Sequence, residues 1–321
     1  MINKFKRLLC FAVALTIAFI VPNFSNENIS AVNTDVTYYS YNAKTGQFIE
    51  EYDLESLDTV GMVNSRSGST DDRVLDWTKH GVVKIFCKNL DDLQTSRGTG
   101  FVVGEHVIAT AAHVVNGTAI NKILIFKGNA NDYMELTPVE YHLPKIYHEE
   151  HKIEIILNHP DRMNAEIEAR CHDYALITVE EDLSDYMCFN LGVATDEAIE
   201  NNTAVTLTGF PGTVHDEFNH VNNEKTNNMY SGTGVLLDMS GHINEYVDLY
   251  INNKDLIFCY DNRSSSGESG GPVYITESYD GNVYYTVVGI NVAGGGTECR
   301  MGVRMTTDLL HFYMNNNYLD W

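Results

Sequence analysis

The chain is short of positive charge. Its 321 residues carry 21 Lys plus Arg against 44 Asp plus Glu, a formal net charge of −23. Nucleic-acid binding needs a cationic surplus that displaces counterions from phosphates, and none is present. The same deficit argues against docking on an anionic membrane surface through a basic patch. No Cys-x-x-Cys pair of the kind that builds a zinc knuckle occurs. No self-similarity at a period of about 20–50 residues marks a solenoid or propeller. Beyond Leu8–Val21 there is no second long uncharged apolar run.

The residues that are present describe an acidic, soluble, folded protein. Apolar residues make up 44%, enough for a sizeable core, and the length suits one large domain or two smaller ones. Aromatics reach 11%, with 19 Tyr, which is too rich in rings for a disordered acidic tail. A strand-rich fold is expected.

The first residues read as an address. Lys4-Phe5-Lys6-Arg7 precede the uncharged run Leu8–Val21, and an Asn/Ser-rich segment comes after it. At about 1.5 Å per helical residue the run is short for a bilayer core of about 30 Å. The pattern is that of a secretory signal peptide over residues 1–31, cut within 25–31, with Ala31 one candidate. An uncleaved anchor is the rival, disfavoured by the shortness of the run. The mature protein is therefore expected outside the cell, with no stable membrane insertion. Cys10 leaves with the signal. Cys87, Cys171, Cys188, Cys259 and Cys299 remain, an odd set, so at least one thiol is unpaired or pairs between chains.

Residues 32–66 differ in character from the rest of the chain. They are polar, with Thr37-Tyr38-Tyr39-Ser40-Tyr41, acids at Glu50, Glu51, Asp53, Glu55 and Asp58, and no strong period. They run into a small-polar stretch, Asn64 to Thr70. This composition predicts a propeptide over 32–66 and a processing zone after it, leaving 67–321 as the working domain. An ordinary N-terminal extension is the alternative.

From residue 81 short β-branched and aromatic runs recur between turns. They are Gly81–Cys87, Gly98–Val103, Ile123–Phe126, Asp173–Val179, Ala204–Thr208, Tyr246–Ile251, Leu256–Tyr260, Val283–Val292 and Met301–Met305. Many short strands with Gly and Asn punctuation indicate a sandwich or barrel. Helical period appears at the end, Asp308 to Asn315, where Leu309, Leu310 and Tyr313 share a face.

Three local patterns carry chemistry. Gly267-Glu268-Ser269-Gly270-Gly271-Pro272 runs into Val273-Tyr274-Ile275. A serine nucleophile needs such a tight loop, in which glycine lets backbone N–H groups converge on one spot. Thr110-Ala111-Ala112-His113-Val114-Val115, preceded by Gly98-Thr99-Gly100-Phe101-Val102-Val103, presents one histidine among small residues. Asp173-Tyr174-Ala175-Leu176-Ile177 opens an apolar run with an Asp, a residue disfavoured in strands. Each has a plain alternative, as a Gly/Pro turn, a core histidine or a strand-entry turn. Together, the order His113, Asp173, Ser269 is that of the chymotrypsin-type triad.

The sequence thus resembles the trypsin-like serine proteases over about residues 70–317, and within them the bacterial glutamyl endopeptidases. Val205-Thr206-Leu207-Thr208-Gly209-Phe210-Pro211-Gly212, Val288-Gly289-Ile290-Asn291 and Gly302-Val303-Arg304-Met305-Thr306 support it, and Gly68–Arg73 resembles the mature start of some members. The resemblance implies an all-β fold, a double six-stranded antiparallel β-barrel with a short C-terminal helix. It implies Ser269 as nucleophile, His113 as general base and acid, Asp173 as its orienting partner, and the Gly267 and Ser269 N–H groups as the oxyanion hole. This chemistry requires no metal or cofactor. Protein or peptide substrates and a monomeric state are expected.

Specificity departs from the pattern. Glutamate-selective members place Ser or Thr five residues before the nucleophile, which Ser264 satisfies, and a His where this chain has Asn291. Arg263, at the pocket base in the general layout, is a candidate charge partner for an acidic side chain. Glu268 stands where the glutamyl branch has an amide. In zymogens of the wider family an acid there pairs with a new α-amino group. His148-Glu149-Glu150-His151 has spacing i, i+3 rather than the i, i+4 of a helix zinc motif, and reads as a solvated loop. Asn116, Asn201 and Asn262 head N-x-S/T sites. Competing readings are an HtrA-like protease, for which too little chain remains after Ser269, and a catalytically dead, target-binding homologue.

Overall fold

The computed structural model describes residues 36–54, 73–91, 93–150, 169–186, 189–215, 220–222, 227–237, 255–294 and 300–315. The signal-peptide run, the 64–70 zone, Tyr246–Ile251, Cys188 and Cys299 lie outside the described residues. Cys87, Cys171 and Cys259 are buried.

The strands in chain order are β1 (Val36–Asn42), β2 (Phe48–Leu54), β3 (Val74–Leu75), β4 (Val82–Asn89), β5 (Thr95–Gly104), β6 (Val107–Thr110), β7 (Thr118–Asn129), β8 (Asp132–Leu136), β9 (Pro138–Pro144) and β10 (Ala175–Val179). They continue as β11 (Asn190–Leu191), β12 (Ala204–Gly209), β13 (Thr213–His215), β14 (His220–Asn222), β15 (Tyr230–Leu237), β16 (Ile257–Tyr260), β17 (Pro272–Tyr279), β18 (Asn282–Gly294) and β19 (Arg300–Arg304). Among the described residues the short helices include α1 (Ala112–Val115), α2 (Lys145–Glu150), α3 (Asp196–Glu200) and α4 (Thr307–Asn315). The protein is mostly β, arranged as a chymotrypsin-like double barrel.

The first sheet has the order β2-β1-β9-β10-β6-β5-β4-β7-β8. Its central strands read as near-continuous apolar runs because both faces are covered: all five residues of β10 are buried. The second closes on itself. β18, β17, β12, β15, β16 and β19 pair in turn, and β19 returns to β18, giving a six-stranded antiparallel barrel. Closure leaves no open edge in that ring. Val205, Leu207, Phe258, Val273 and Ile275 fill its interior.

Most expected strands lie within a few residues of observed ones. β9 and β15 lack a clean pattern in sequence, since Pro138, His142 and Pro144 interrupt the former and Gly232 and Gly234 the latter. The segment 36–54, without apparent period, forms a hairpin whose β1 pairs with β9. In α4 Leu309, Phe312 and Tyr313 are buried and Leu310 is partly buried against the same core; Phe312 joins the expected face, with the Tyr38 ring stacked on it at 4.3 Å. His148 is not in a solvated loop: it lies in α2, with Nδ1 2.8 Å from Asn116 Oδ1. Among the described residues no helix is long and apolar enough to cross a membrane.

Candidate active site

Strand register brings His113 to Asp173. In the β6–β10 pair, Ala175 faces Thr110. The chain leaving β6 therefore meets the chain entering β10. Thr110 and Ala111 are buried, and α1 packs Ala112, Val114 and Val115 inward, which turns His113 outward with its side chain 30% exposed. Asp173 is buried two residues before β10. Its Oδ1 accepts the His113 backbone N–H at 2.8 Å, and its Oδ2 lies 2.7 Å from His113 Nδ1. A carboxylate accepts only, so Nδ1 carries the proton and Nε2 is left as the basic nitrogen. Burial by itself lowers the His113 pKa; the charge and hydrogen bond of Asp173 outweigh it and hold the imidazole above its ordinary value, with Arg170 opposing.

Ser269 lies in the loop between β16 and β17, half-buried. The loop is tied down by main chain. Ser269 C=O accepts from Thr99 N–H at 2.8 Å, Ser266 C=O from Gly212 N–H at 2.6 Å, and Asn291 C=O from Gly270 N–H at 2.7 Å. Gly267 has φ +99°, in the left-handed region, and a Cβ there would strike the Phe210 carbonyl. Gly270, φ +84°, packs so closely on Thr99, Thr110 and Ala111 that no side chain fits. That contact sets the loop of Ser269 against the segment that bears His113. Among the described residues neither the Gly267 nor the Ser269 N–H has a backbone acceptor.

Thr99 is one residue that sequence reasoning missed. Its hydroxyl donates to Gly267 C=O at 2.7 Å and accepts from Phe210 N–H at 3.1 Å, while its carbonyl accepts from Thr110 Oγ1 at 2.7 Å. One buried threonine thus links β5, β6, the β12 exit and the Ser269 loop. The available signal was a hydroxyl between two glycines at the start of an apolar strand.

Glu268 is 1% exposed. Its Oε2 accepts from Arg73 at 3.2 Å and from Ser265 N–H at 2.7 Å. Burial pushes the carboxyl up to about 7, against the opposing pull of Arg73 and Ser265. A guanidinium from the N-terminal side thus sits where the sequence suggested an α-ammonium. Its stem lies over Gly232 of β15, beside the β3–β15 pairing.

The candidate pocket residues separate. Asn291 is buried, accepts from Tyr260 Oη at 2.5 Å and donates through Nδ2 to Glu268 C=O at 2.9 Å, so its amide braces the loop. Ser264 is half-buried and Arg263 is exposed. Among the described residues no group of three or more His, Cys, Asp or Glu is placed to hold a metal ion.

Residues 98–284 match the model of a trypsin-like peptidase domain. No curated protein matches the chain. Among solved structures, a Glu endopeptidase in complex with MPD aligns with TM-score 0.51 at 14% identity, over 76% of this chain and 95% of that one. HL collagenase aligns with TM-score 0.50 at 14% identity, over 78% and 100%. A scabies mite inactivated protease paralogue aligns with TM-score 0.50 at 12% identity, over 75% of this chain and 96% of that one. At these identities the likeness is one of fold, and it extends to a paralogue named as inactivated.

Proposed function

The chain belongs to the trypsin-like peptidase family, and from that premise we propose that it is a secreted serine endopeptidase whose working residues are Ser269, His113 and Asp173. The carrying observation is the Asp173 carboxylate engaged by both the backbone and the ring of His113, beside a serine loop with two undirected N–H groups. In this reading Ser269 Oγ attacks the scissile carbonyl while His113 Nε2 takes its proton. The oxyanion forms against the N–H groups of Gly267 and Ser269, each worth about 3–4 kcal/mol of transition-state stabilisation. The imidazolium, stabilised by Asp173, then protonates the leaving amine, and water repeats the sequence to release the acid.

Labelling of the protein by a fluorophosphonate, with Ser269→Ala as control, tests this directly. Equal labelling of both removes Ser269 as the nucleophile, and labelling of neither removes the assignment in favour of a target-binding homologue.

Cleavage after acidic residues, Glu before Asp, is the specificity we propose. Arg263 and Ser264 supply a cation and a hydroxyl near the loop, and a cation there disfavours Lys or Arg in the pocket. The brace made by Asn291 leaves the charge-pairing role to Arg263. In a peptide library, cuts dominated by Glu and weakened by Arg263→Ala support this; cuts after Phe, Tyr or Leu, indifferent to Arg263, overturn it. Export through the residue 1–31 signal and a cut within 64–67 complete the reading. N-terminal sequencing of the exported protein checks both.

A further inference from the structure

We propose that the β1–β2 hairpin is a permanent part of the catalytic unit: after a cut downstream of it, the hairpin stays docked as a non-covalently held second chain. The activity arm rests on the peptidase reading; the docking itself does not.

The hairpin closes the first barrel. β1 is an interior strand, paired with β9 from Tyr38↔Pro144 to Asn42↔Glu140 and with β2 on its other side. Just past β1, Ala43 N–H donates to Val139 C=O of β9 at 2.9 Å, and Ala43 C=O accepts from Ile120 N–H of β7 at 2.7 Å. Ala43 therefore bridges the two strands between which the barrel would otherwise gape. Tyr38, Ser40, Tyr41 and Ala43 are all buried. Tyr41 stacks on Tyr141 at 4.9 Å and Tyr38 on Phe312 at 4.3 Å. Departure would bare these rings and open the edge of β9 to other strands. A segment meant to leave is expected to present separable polar contacts, and this one is core.

The hairpin also lies behind the catalytic pair. Tyr38 Oη is 3.2 Å from Tyr174 Oη, next to Asp173 in sequence. Tyr41 Oη is 3.3 Å from His148 Nδ1, which is 2.8 Å from Asn116 Oδ1, the residue that ends α1. Among the described residues no hydrogen bond, ion pair or ring contact joins the hairpin to His113 or Ser269. Its contacts brace the site from outside the reacting atoms, as positioning residues do.

The test is a site-specific protease sequence inserted between residues 55 and 66 of the full chain. After the cut, native gel filtration and then denaturing mass spectrometry should find both fragments in one peak at equal amounts, with kcat within about twofold of the uncut protein. Ser40→Pro, which removes an N–H from the middle of the ladder, should release the fragment after the cut and lower kcat by up to about 10²-fold with KM little changed, as misplacement of catalytic groups does. A hairpin fragment eluting separately from the unsubstituted cut protein overturns the proposal, as does equally tight retention in Ser40→Pro. Should Ser40→Pro fail to accumulate, the unsubstituted cut decides alone. A full chain that never labels with fluorophosphonate removes the peptidase reading, while co-elution still decides the docking.

Discussion

His113 is held by one carboxylate that accepts from both its backbone and its ring, whereas Ser269 is held by its own main chain, through Thr99, Gly212 and Asn291 and over the buried Arg73–Glu268 pair. The first half is a side-chain device set among small buried apolar residues. The second is ladder geometry resting on a charge. The contrast says where each half is vulnerable: the first to loss of a single acceptor, the second to loss of a distant cation.

The largest expected effect tests whether the halves act as one. Ser269→Ala or His113→Ala should each lower kcat by about 10⁴–10⁶-fold, and the double variant should be scarcely worse. Additive losses in steady-state kinetics would mean two independent contributions. Asp173→Asn comes next. It keeps the shape but offers the ring an amide, and should cost about 10⁴-fold in kcat by favouring the wrong tautomer. Full activity in that variant would strip Asp173 of its role.

The other half is broken from outside the loop. Arg73→Met leaves Glu268 buried without its cation, and removing one partner of a buried pair costs about 3–5 kcal/mol. The pH dependence has a definite sign. The folded-state pKa of Glu268, about 7, exceeds its ordinary value of 4.5. The stability this group contributes is therefore fully present below 4.5 and is lost as pH rises through about 7. Without Arg73 the folded pKa rises further, so the deficit of Arg73→Met should be small at pH near 5 and grow above about 7. Thermal melts at both pH values check this, and Arg73→Met with Glu268→Gln should recover much of the loss.

A smaller effect separates brace from pocket. Tyr260→Phe removes the donor to Asn291 and leaves a buried acceptor, a cost of about 1–3 kcal/mol. Chemical denaturation reads the loss, while unchanged residue preference in a peptide library would keep Asn291 a brace. The smallest effect is a displacement along the pH axis. Because Asp173 raises the His113 pKa, the imidazole stays protonated to higher pH, and the rise of kcat/KM should centre above about 6.5. A midpoint below that value would mean that burial, not Asp173, controls the ring.

Much of the site was legible because its parts are local. Gly267–Pro272 needs glycine at two left-handed positions, His113 sits among small residues at a strand exit, and Asp173 opens an apolar run; each shows within a few residues. Thr99, Arg73 and Tyr260 were not legible, because their partners lie 168, 195 and 31 residues away. The hairpin was hidden for another reason. β2 is an edge strand whose residues 48–51 are exposed on both faces, and the buried residues of β1 are Tyr38, Ser40 and Tyr41 rather than aliphatic ones, so no clean alternation marks it.

By itself the sequence determined the acid excess, the positions of most strands of both barrels, and the types and order of His113, Asp173 and Ser269. These come from side-chain period and turn chemistry, which act over a few bonds. Only the tertiary structure decided that Ala43 bridges β9 to β7, that Glu268 meets Arg73, and that the Asn291 amide is spent on Tyr260 and the loop. Those contacts depend on strand register, in which a slip of one residue turns every side chain to the opposite face. Register is set by the packing of the closed barrels as wholes, and no short stretch of chain contains it.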